Sequence, residues 1–484
     1  MSDGLSVAAQ TGHGGNRIDE PFNRQEYNFF NSLLNDYQKS AVKRILRGEC
    51  RPTPYILFGP PGTGKTVTIL EAILQIHFTL PDSRILASAP SNSAADLLCL
   101  RLHESNVLKQ GDMVRVNATC RSEEYIPEIV QLYSKDGEDL WDAARCRIII
   151  STCSTAGLFY QIGLRTGHFT HVFVDEAGQA SEPECLIPLL LVSEEDGQIV
   201  LAGDPRQLGP VMKSRIAAAY GLSVSLLERL MMRPLYSRDE TFSAFGSYNP
   251  LLVTKLVNNY RSHSSLLDLP SKLFYHKELK MCADQSVVNM FCNWEKLPKK
   301  GFPIIFHGLR GNEMREGSNP SWFNPKEAVQ VTRYCCVLAK HCTCPVQPSD
   351  IGVITPYQKQ VQKIRILLRS GYLSNIKVGS VEEFQGRENL VIIVSTVRSS
   401  EENLDEDARY VLGFLSDPKR FNVVITRAKA LLIVVGNPHI LLKDPCWGAL
   451  LEYCVVNDAY VGCNLPHELL TQWRSDASVS GKTC

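Results

Sequence analysis

The sequence predicts an α/β chain built from two parallel-sheet units, and three observations carry that expectation. Nine short apolar runs recur along it, YILFG, RILASAP, CRIIIST, HVFVDEA and QIVLAGD, then PIIFHG, IGVITP, LVIIVSTV and ALLIVVGNP. Many of these runs sit between helical stretches of 10 or more residues, the alternation that covers both faces of a parallel sheet. The runs also divide into two sets, the first ending near Asp204 and the second running from about Leu252 to Asn437 after a helical, loop-rich interval.

Length and composition bound the answer. The 484 residues, 44 % of them hydrophobic, suffice for about two to four ordinary domains. With 51 Lys+Arg against 51 Asp+Glu, the chain is not one that holds nucleic acid by a bulk positive field, although a locally basic cleft remains open to it. The 16 cysteines follow no repeated spacing and include no C-x-x-C. The first residues lack a basic and an apolar leader segment, and no 18-residue uncharged apolar run occurs. A reducing compartment is expected, cytoplasmic or nuclear, with no membrane.

In chain order, residues 1–26 are rich in Gly, Ser, Asn and Gln without apolar periodicity and are expected to form a flexible arm. A first domain is expected over 27–250. It opens with DYQKSAVKRILRGE, whose Ala41, Val42, Ile45 and Leu46 give an amphipathic helix. A polar stretch is expected to form a small helical insertion at about 120–145. A second domain should cover 251–462, and 463–484 should be a flexible tail. The acidic run SSEENLDED after Arg398 reads as a solvated loop. Cys335, Cys336, His341, Cys342 and Cys344 are too crowded for a zinc site, and PKEAVQVTRYCCVLAKH scans as a helix carrying part of them on its apolar face.

The strongest chemical signal is Gly59-Pro60-Pro61-Gly62-Thr63-Gly64-Lys65-Thr66, after the strand YILF and before a helix. Glycines there let backbone N–H groups curl around phosphate, and the following helix points its N-terminus at the anion. Lys65 should reach the β/γ-phosphates and the Thr66 hydroxyl should ligate Mg²⁺. In VFVDEA, Asp175 and Glu176 fall at the end of a buried strand beside that loop. Asp175 is expected to hold the magnesium and Glu176 to polarise the attacking water. QIVLAGD leads into Gln207, whose amide could sense the γ-phosphate.

These elements, in this order, resemble a superfamily 1 helicase. Asn259-Tyr260-Arg261-Ser262, KVGSVEEFQGRE (377–388) and RFNVVITRAK (420–429) resemble its later motifs. DEAGQASEPE, GDPRQLGP, GFPIIFHG and GFLSDPKRFNV look most like the Armitage-type, Moloney leukaemia virus 10-like RNA helicases. The resemblance covers about 33–462 and implies two tandem RecA-like P-loop NTPase domains. It implies ATP as the nucleotide, with Gln38 reading the adenine edge, Tyr260 stacking on adenine and Glu388 binding the ribose. Arg261 and Arg427 resemble the arginine pair that meets the γ-phosphate from the second domain.

The resemblance also implies a track for single-stranded RNA across both domains, on the face opposite the sheet-edge chemistry. Here it would comprise Pro90, Ser91, Asn92, Ser151, Thr152, Thr355, Pro356, Tyr357, Gln360, Ser380, Thr396 and Arg398. Such hydroxyl, amide and loop contacts hold phosphate and sugar without reading bases. Ser91 also reads as a helix N-cap. The family moves 5′ to 3′ and remodels RNA; its Armitage branch implies small-RNA silencing with Argonaute or Piwi partners. Relatives carry a β-barrel domain upstream of the adenine glutamine, so the chain resembles a monomeric C-terminal helicase core of a longer protein. Two other classes stay open: a DNA motor of the same superfamily, and an ATP-gated RNA-binding scaffold. Intact Lys65, Asp175, Glu176, Gln207, Arg261 and Arg427 argue against the scaffold.

Overall fold

Apolar runs with no polar alternation become the interiors of two all-parallel sheets. The computed structural model describes residues 28–469 apart from 138, 318, 319, 342–345, 402–412 and 468. The expected arm at 1–26, most of the expected tail at 463–484, most of the acidic run, Cys342 and Cys344 lie outside the described residues.

The first unit begins with α1 (Asp36–Arg47), started by a reciprocal cap in which Asn35 accepts from the Gln38 N–H and Gln38 accepts from the Asn35 N–H. Then come β1 (Tyr55–Phe58), α2 (Lys65–Thr79), β2 (Ile85–Ala89) and α3 (Asn92–Glu104). They are followed by β3 (Met113–Val116), β4 (Ser134–Lys135), β5 (Ile148–Thr152), β6 (His171–Val174), β7 (Gln198–Gly203) and β8 (Val253–Lys255). The eight strands lie in the order β4-β3-β5-β2-β6-β7-β1-β8. Every pairing is parallel. β1, β2, β5 and β6 are buried at every position, as strands covered on both faces must be.

The second unit has six parallel strands in the order Lys377–Gly379, Ile351–Ile354, Asn389–Ser395, Ala428–Gly436, Ile304–Gly308, Tyr460–Gly462. The two-residue period of a strand divides their side chains between two cores. Ile304, Phe306, Ile392, Val394, Leu432 and Val434 face one. Ile305, Val391, Ile393, Leu431, Ile433 and Val435 face the other, where the helix Pro325–His341 adds Ala328, Val331 and the buried Cys335. That helix is the one the sequence led us to expect. Among the described residues no helix is long and apolar enough to cross a membrane.

Two boundary expectations are corrected. β8 lies beyond the boundary expected at 250, yet it pairs with β1: Ile56 faces Val253 and Phe58 faces Lys255. The reason is that β1 would otherwise be an open edge beside the phosphate loop. The insertion at 120–145 is not purely helical, because β4 extends the sheet from β3.

In the second unit a buried polar cluster stands behind the strand end at Ser395. The Glu327 carboxylate accepts from the Ser395 hydroxyl at 2.7 Å, from the Val397 N–H at 2.8 Å and from the Asn324 amide at 3.2 Å. Val397 has φ 71°, a strained conformation for a β-branched residue, and Asn324 also donates to its carbonyl. Burial outweighs these donors and pushes Glu327 up from 4.5 to about 8. An acid raised in the folded state contributes most below its unfolded value and loses that contribution as pH rises to about 8. Glu327→Gln is therefore expected to flatten the fall in stability between about pH 5 and pH 8, which in the parent is up to about 1.4 kcal/mol per pH unit. Identical pH profiles of the unfolding midpoint would contradict this.

Candidate functional site

The site begins where β1 stops. The loop Gly59–Thr66 turns at Gly62 (φ 68°) and Gly64 (φ 82°), in the left-handed region that glycine enters without strain. At Gly62 a Cβ would also stand 2.5 Å from the Arg261 Cβ and 2.9 Å from the Asn259 amide nitrogen. The Thr63 hydroxyl closes the loop by donating to the Pro60 carbonyl at 2.7 Å, and Asn259 donates to the Pro61 carbonyl at 2.8 Å. No side chain caps α2, so its first N–H groups are left to receive an anion.

β6 delivers the two acids to the same edge. Lys65 Nζ is 3.5 Å from Glu176 Oε1, and the Thr66 hydroxyl donates to Asp175 Oδ2 at 3.1 Å. Glu176 itself takes φ 52°, a strain of about 1–3 kcal/mol, and its N–H donates to Asp175 Oδ1 at 2.9 Å. Burial and the adjoining Glu176 carboxylate push Asp175 up to about 6. Burial acts the same way on Glu176, but Lys65, the Gln179 amide and Arg427 outweigh it and hold Glu176 below the usual range. Burial likewise opposes the Lys65 charge, and the carboxylates of Glu176, Asp175 and Asp204 overcome it. Adjacent acids pushed apart in this way suit two different tasks. The Thr66 hydroxyl and Asp175 carboxylate are hard oxygen donors, the set that fits magnesium.

From across the cleft come two arginines. Arg427, buried, donates from Nη2 to Gln207 Oε1 at 2.9 Å and from Nε to the Val423 carbonyl at 3.1 Å. Gln207 in turn donates to Asp204 Oδ2 at 2.7 Å. That same oxygen receives the Tyr275 hydroxyl at 2.8 Å, and Tyr275 accepts from the Asn422 amide at 2.6 Å. Burial and the neighbouring Arg261 lower Arg427 to about 9, which leaves it cationic at neutral pH. Arg261 donates from Nε to Glu388 at 2.5 Å and from Nη1 to the Thr426 carbonyl at 3.1 Å. Lys429 Nζ lies 2.7 Å from the other Glu388 oxygen. Against burial, Arg261 and Lys429 hold Glu388 down to about 2.

Arg261, expected from the second domain, is carried on a segment bonded to both units. Asn259 and the Tyr260 N–H bond to the phosphate loop, whereas the Ser262 hydroxyl and His263 N–H bond to the carbonyls of Ala428 and Lys429. Tyr260 is 44 % exposed at the cleft mouth, and its hydroxyl accepts from Asn35 at 2.8 Å. The Gln38 amide, buried, donates to the Thr63 carbonyl at 3.3 Å while its oxygen serves the cap of α1. Phosphate loop, Asp175, Glu176, Gln207, Tyr260, Arg261, Glu388 and Arg427 together line one cleft of about 1600 Å³.

The expected RNA track is only partly at the surface. Asn92 is exposed, and Pro90, Ser91, Pro356, Ser380 and Arg398 are half-buried. Ser91 caps α3, accepting from the Ala94 N–H, and Ser380 caps Val381–Phe384. Ser91 and Asn92 also line the wide cleft that holds the phosphate loop. Gln360 is fully buried, donating to the Asn324 carbonyl and the Ser395 hydroxyl, so its amide braces the strand end from behind instead of facing solvent. Ser151, Thr355 and Thr396 are also fully buried, and Thr152 and Tyr357 nearly so. Thr152 faces the Thr155 hydroxyl at 2.6 Å, while among the described residues the Thr355 hydroxyl has no partner.

Sequence reasoning assigned no role to Asp204, Asn259, Tyr275 or Asn422. Three of them stand inside motifs already singled out, GDPRQLGP, NYRS and RFNVVITRAK, where their position was the available signal. Tyr275 carries no local signal.

Two family models, each described as an AAA domain, match residues 222–439 and residues 33–138 with 142–215. The chain is similar to the RNA helicase Mov10l1 of Homo sapiens, 71 % identical over 442 residues that cover 91 % of this chain and 36 % of the relative. It is 68 % identical to the Mus musculus protein of that name over 469 residues, 97 % of this chain and 39 % of the relative. Similarity to the probable RNA helicase armi of Drosophila melanogaster is 42 % over 479 residues, 92 % of this chain and 40 % of that relative. The chain thus spans less than half the length of these curated relatives.

Glu176→Gln keeps the shape of the site and removes the carboxylate expected to polarise water. It is expected to retain binding of a fluorescent ATP analogue while hydrolysis falls by about 10²-fold or more; unchanged steady-state hydrolysis would remove Glu176 from the chemistry.

Proposed function

The chain belongs to the Armitage-type, Moloney leukaemia virus 10-like family of superfamily 1 RNA helicases, and from that membership we propose that it is an ATP-driven motor on single-stranded RNA. The observation that carries this reading is the single cleft in which Lys65, Asp175 and Glu176 from the first sheet face Arg427 from the second unit and Arg261 from the shared segment.

In this reading the phosphate loop and the N-terminus of α2 hold the ATP phosphates, and Lys65 neutralises the β/γ oxygens. Thr66 and Asp175 would hold Mg²⁺, which would supply charge stabilisation at the phosphates. Glu176, kept ionised by Lys65, accepts the proton of the attacking water, and Gln207 orients that water. Arg261 leaves Glu388 and, with Arg427, meets the γ-phosphate; paired arginines of this kind contribute on the order of 10³–10⁵ in rate. Glu388, released from Arg261, becomes free for the ribose. Gln38 and Tyr260 frame the adenine. Loss of the γ-phosphate after hydrolysis removes those contacts and lets the units part.

Movement follows if the grip on RNA differs between the two states. Surface groups at Asn92, Pro356, Ser380 and Arg398 would hold the backbone without reading bases, which accords with a chain of equal positive and negative charge. The family resemblance supports 5′-to-3′ movement, cytoplasmic RNA or RNP remodelling, and a place in small-RNA silencing beside Argonaute- or Piwi-type proteins.

The test is steady-state ATP hydrolysis by the purified chain with single-stranded RNA, single-stranded DNA or neither. Stimulation selective for RNA is expected. Equal stimulation by DNA would make it a general strand motor, and absence of hydrolysis would make it a scaffold.

A further inference from the structure

On the second unit a short hairpin projects beside Arg398. Met314–Arg315 pairs antiparallel with Trp322–Phe323, so that Arg315 faces Trp322 across the ladder. The Arg315 guanidinium lies 3.9 Å from the centre of the Trp322 ring, and the Arg398 guanidinium lies 4.9 Å from it. Two planar cations thus stand against one indole.

The charges around it are unevenly balanced. Glu316 pairs with Lys359 and Lys363, and the nearly buried Glu313 pairs with Arg398 at 3.6 Å. Lys363 also stands 4.9 Å over Phe323. Arg315 is exposed, and among the described residues no carboxylate pairs with it. Seated against the Trp322 ring and without an ion pair among the described residues, the exposed Arg315 presents its cation to solvent. Arg398, Arg315 and Glu313 all act electrostatically on Tyr357, so the hairpin is contiguous with two residues of the expected track.

We propose that Arg315, backed by Trp322, is a stacking platform for one unpaired base of single-stranded RNA, next to the backbone contacts at Arg398. This rests on the reading of the chain as an RNA motor and adds to it a contact with a base face. Stacking on a guanidinium plane holds any base, so the platform would add grip without sequence preference. Arg398 follows the strained Val397, and Asn324, two residues past Trp322, donates to the Val397 carbonyl, which ties the hairpin to the strand end at Ser395.

The experiment is fluorescence anisotropy of a labelled oligo(U) with the full chain, Arg315→Ala and Arg315→Lys, each checked for an unchanged thermal midpoint. Arg315→Ala is expected to weaken binding about tenfold, and Arg315→Lys, which restores charge without the plane, to recover little of it. Full recovery by lysine would reduce the residue to a point charge, and parent-like binding by Arg315→Ala would leave it no role; either overturns the proposal. Failure of the unmutated chain to bind oligo(U) would remove the motor reading itself. An independent readout is Trp322 emission: quenching by oligo(U) in the parent should be reduced in Trp322→Phe, and equal quenching in both counts against the platform.

Discussion

The carboxylate of Asp204 is the point on which the rest of the structure depends. It sits buried at the end of β7, one residue past the sheet, and its Oδ2 receives both the Gln207 amide and the Tyr275 hydroxyl. Each of those groups also bonds to the segment that leads into the strand Ala428–Gly436 of the second sheet, Gln207 to Arg427 and Tyr275 to Asn422. Two arms from one short stretch of the second unit therefore end on one oxygen of the first. Hydrogen bonds to a charged, buried group contribute about 1.5–3 kcal/mol each, and removing one partner leaves the others unsatisfied. Such a junction favours a small set of arrangements over a continuum.

The phosphate loop is tied to both units as well. Asn259 and Tyr260 lie on Pro61 and Gly62, while Ser262 and His263 lie on Ala428 and Lys429, so the chain passes from one unit to the other across the site itself. Arg261 is carried at the middle of that passage and rests on Glu388. A ligand that draws Arg261 toward the phosphate loop must break its charge-assisted pair with Glu388. Chemistry at the loop and the relative position of the units are in this sense one equilibrium.

Much of this was legible in the sequence, and the parts that were not share a physical cause. All nine apolar runs form strands, because a strand buried on both faces declares itself locally. Of the sheet strands outside those runs, Ser134–Lys135, Val253–Lys255, Lys377–Gly379 and Tyr460–Gly462 are the outer strands of the two sheets and Met113–Val116 lies one in from an edge, all short segments defined by long-range pairing. Loop, acids and lysine were readable because their chemistry is fixed by local spacing. Contacts such as Arg427 to Gln207, 220 residues apart, are not encoded in any window. The same holds for the direction a hydroxyl or amide points: Gln360 and Ser151 have the residue types of a nucleic-acid contact, yet both are fully buried.

If the hydrogen bond between Arg427 and Gln207 couples the units, the two side chains act as one element. A double-mutant cycle on RNA-stimulated kcat, with Gln207→Ala, Arg427→Ala and the pair, tests it most directly. Strong non-additivity is expected, with the double variant no slower than Arg427→Ala alone. Losses that simply multiply would mean that the two side chains serve hydrolysis independently, and the junction at Asp204 would then be packing alone.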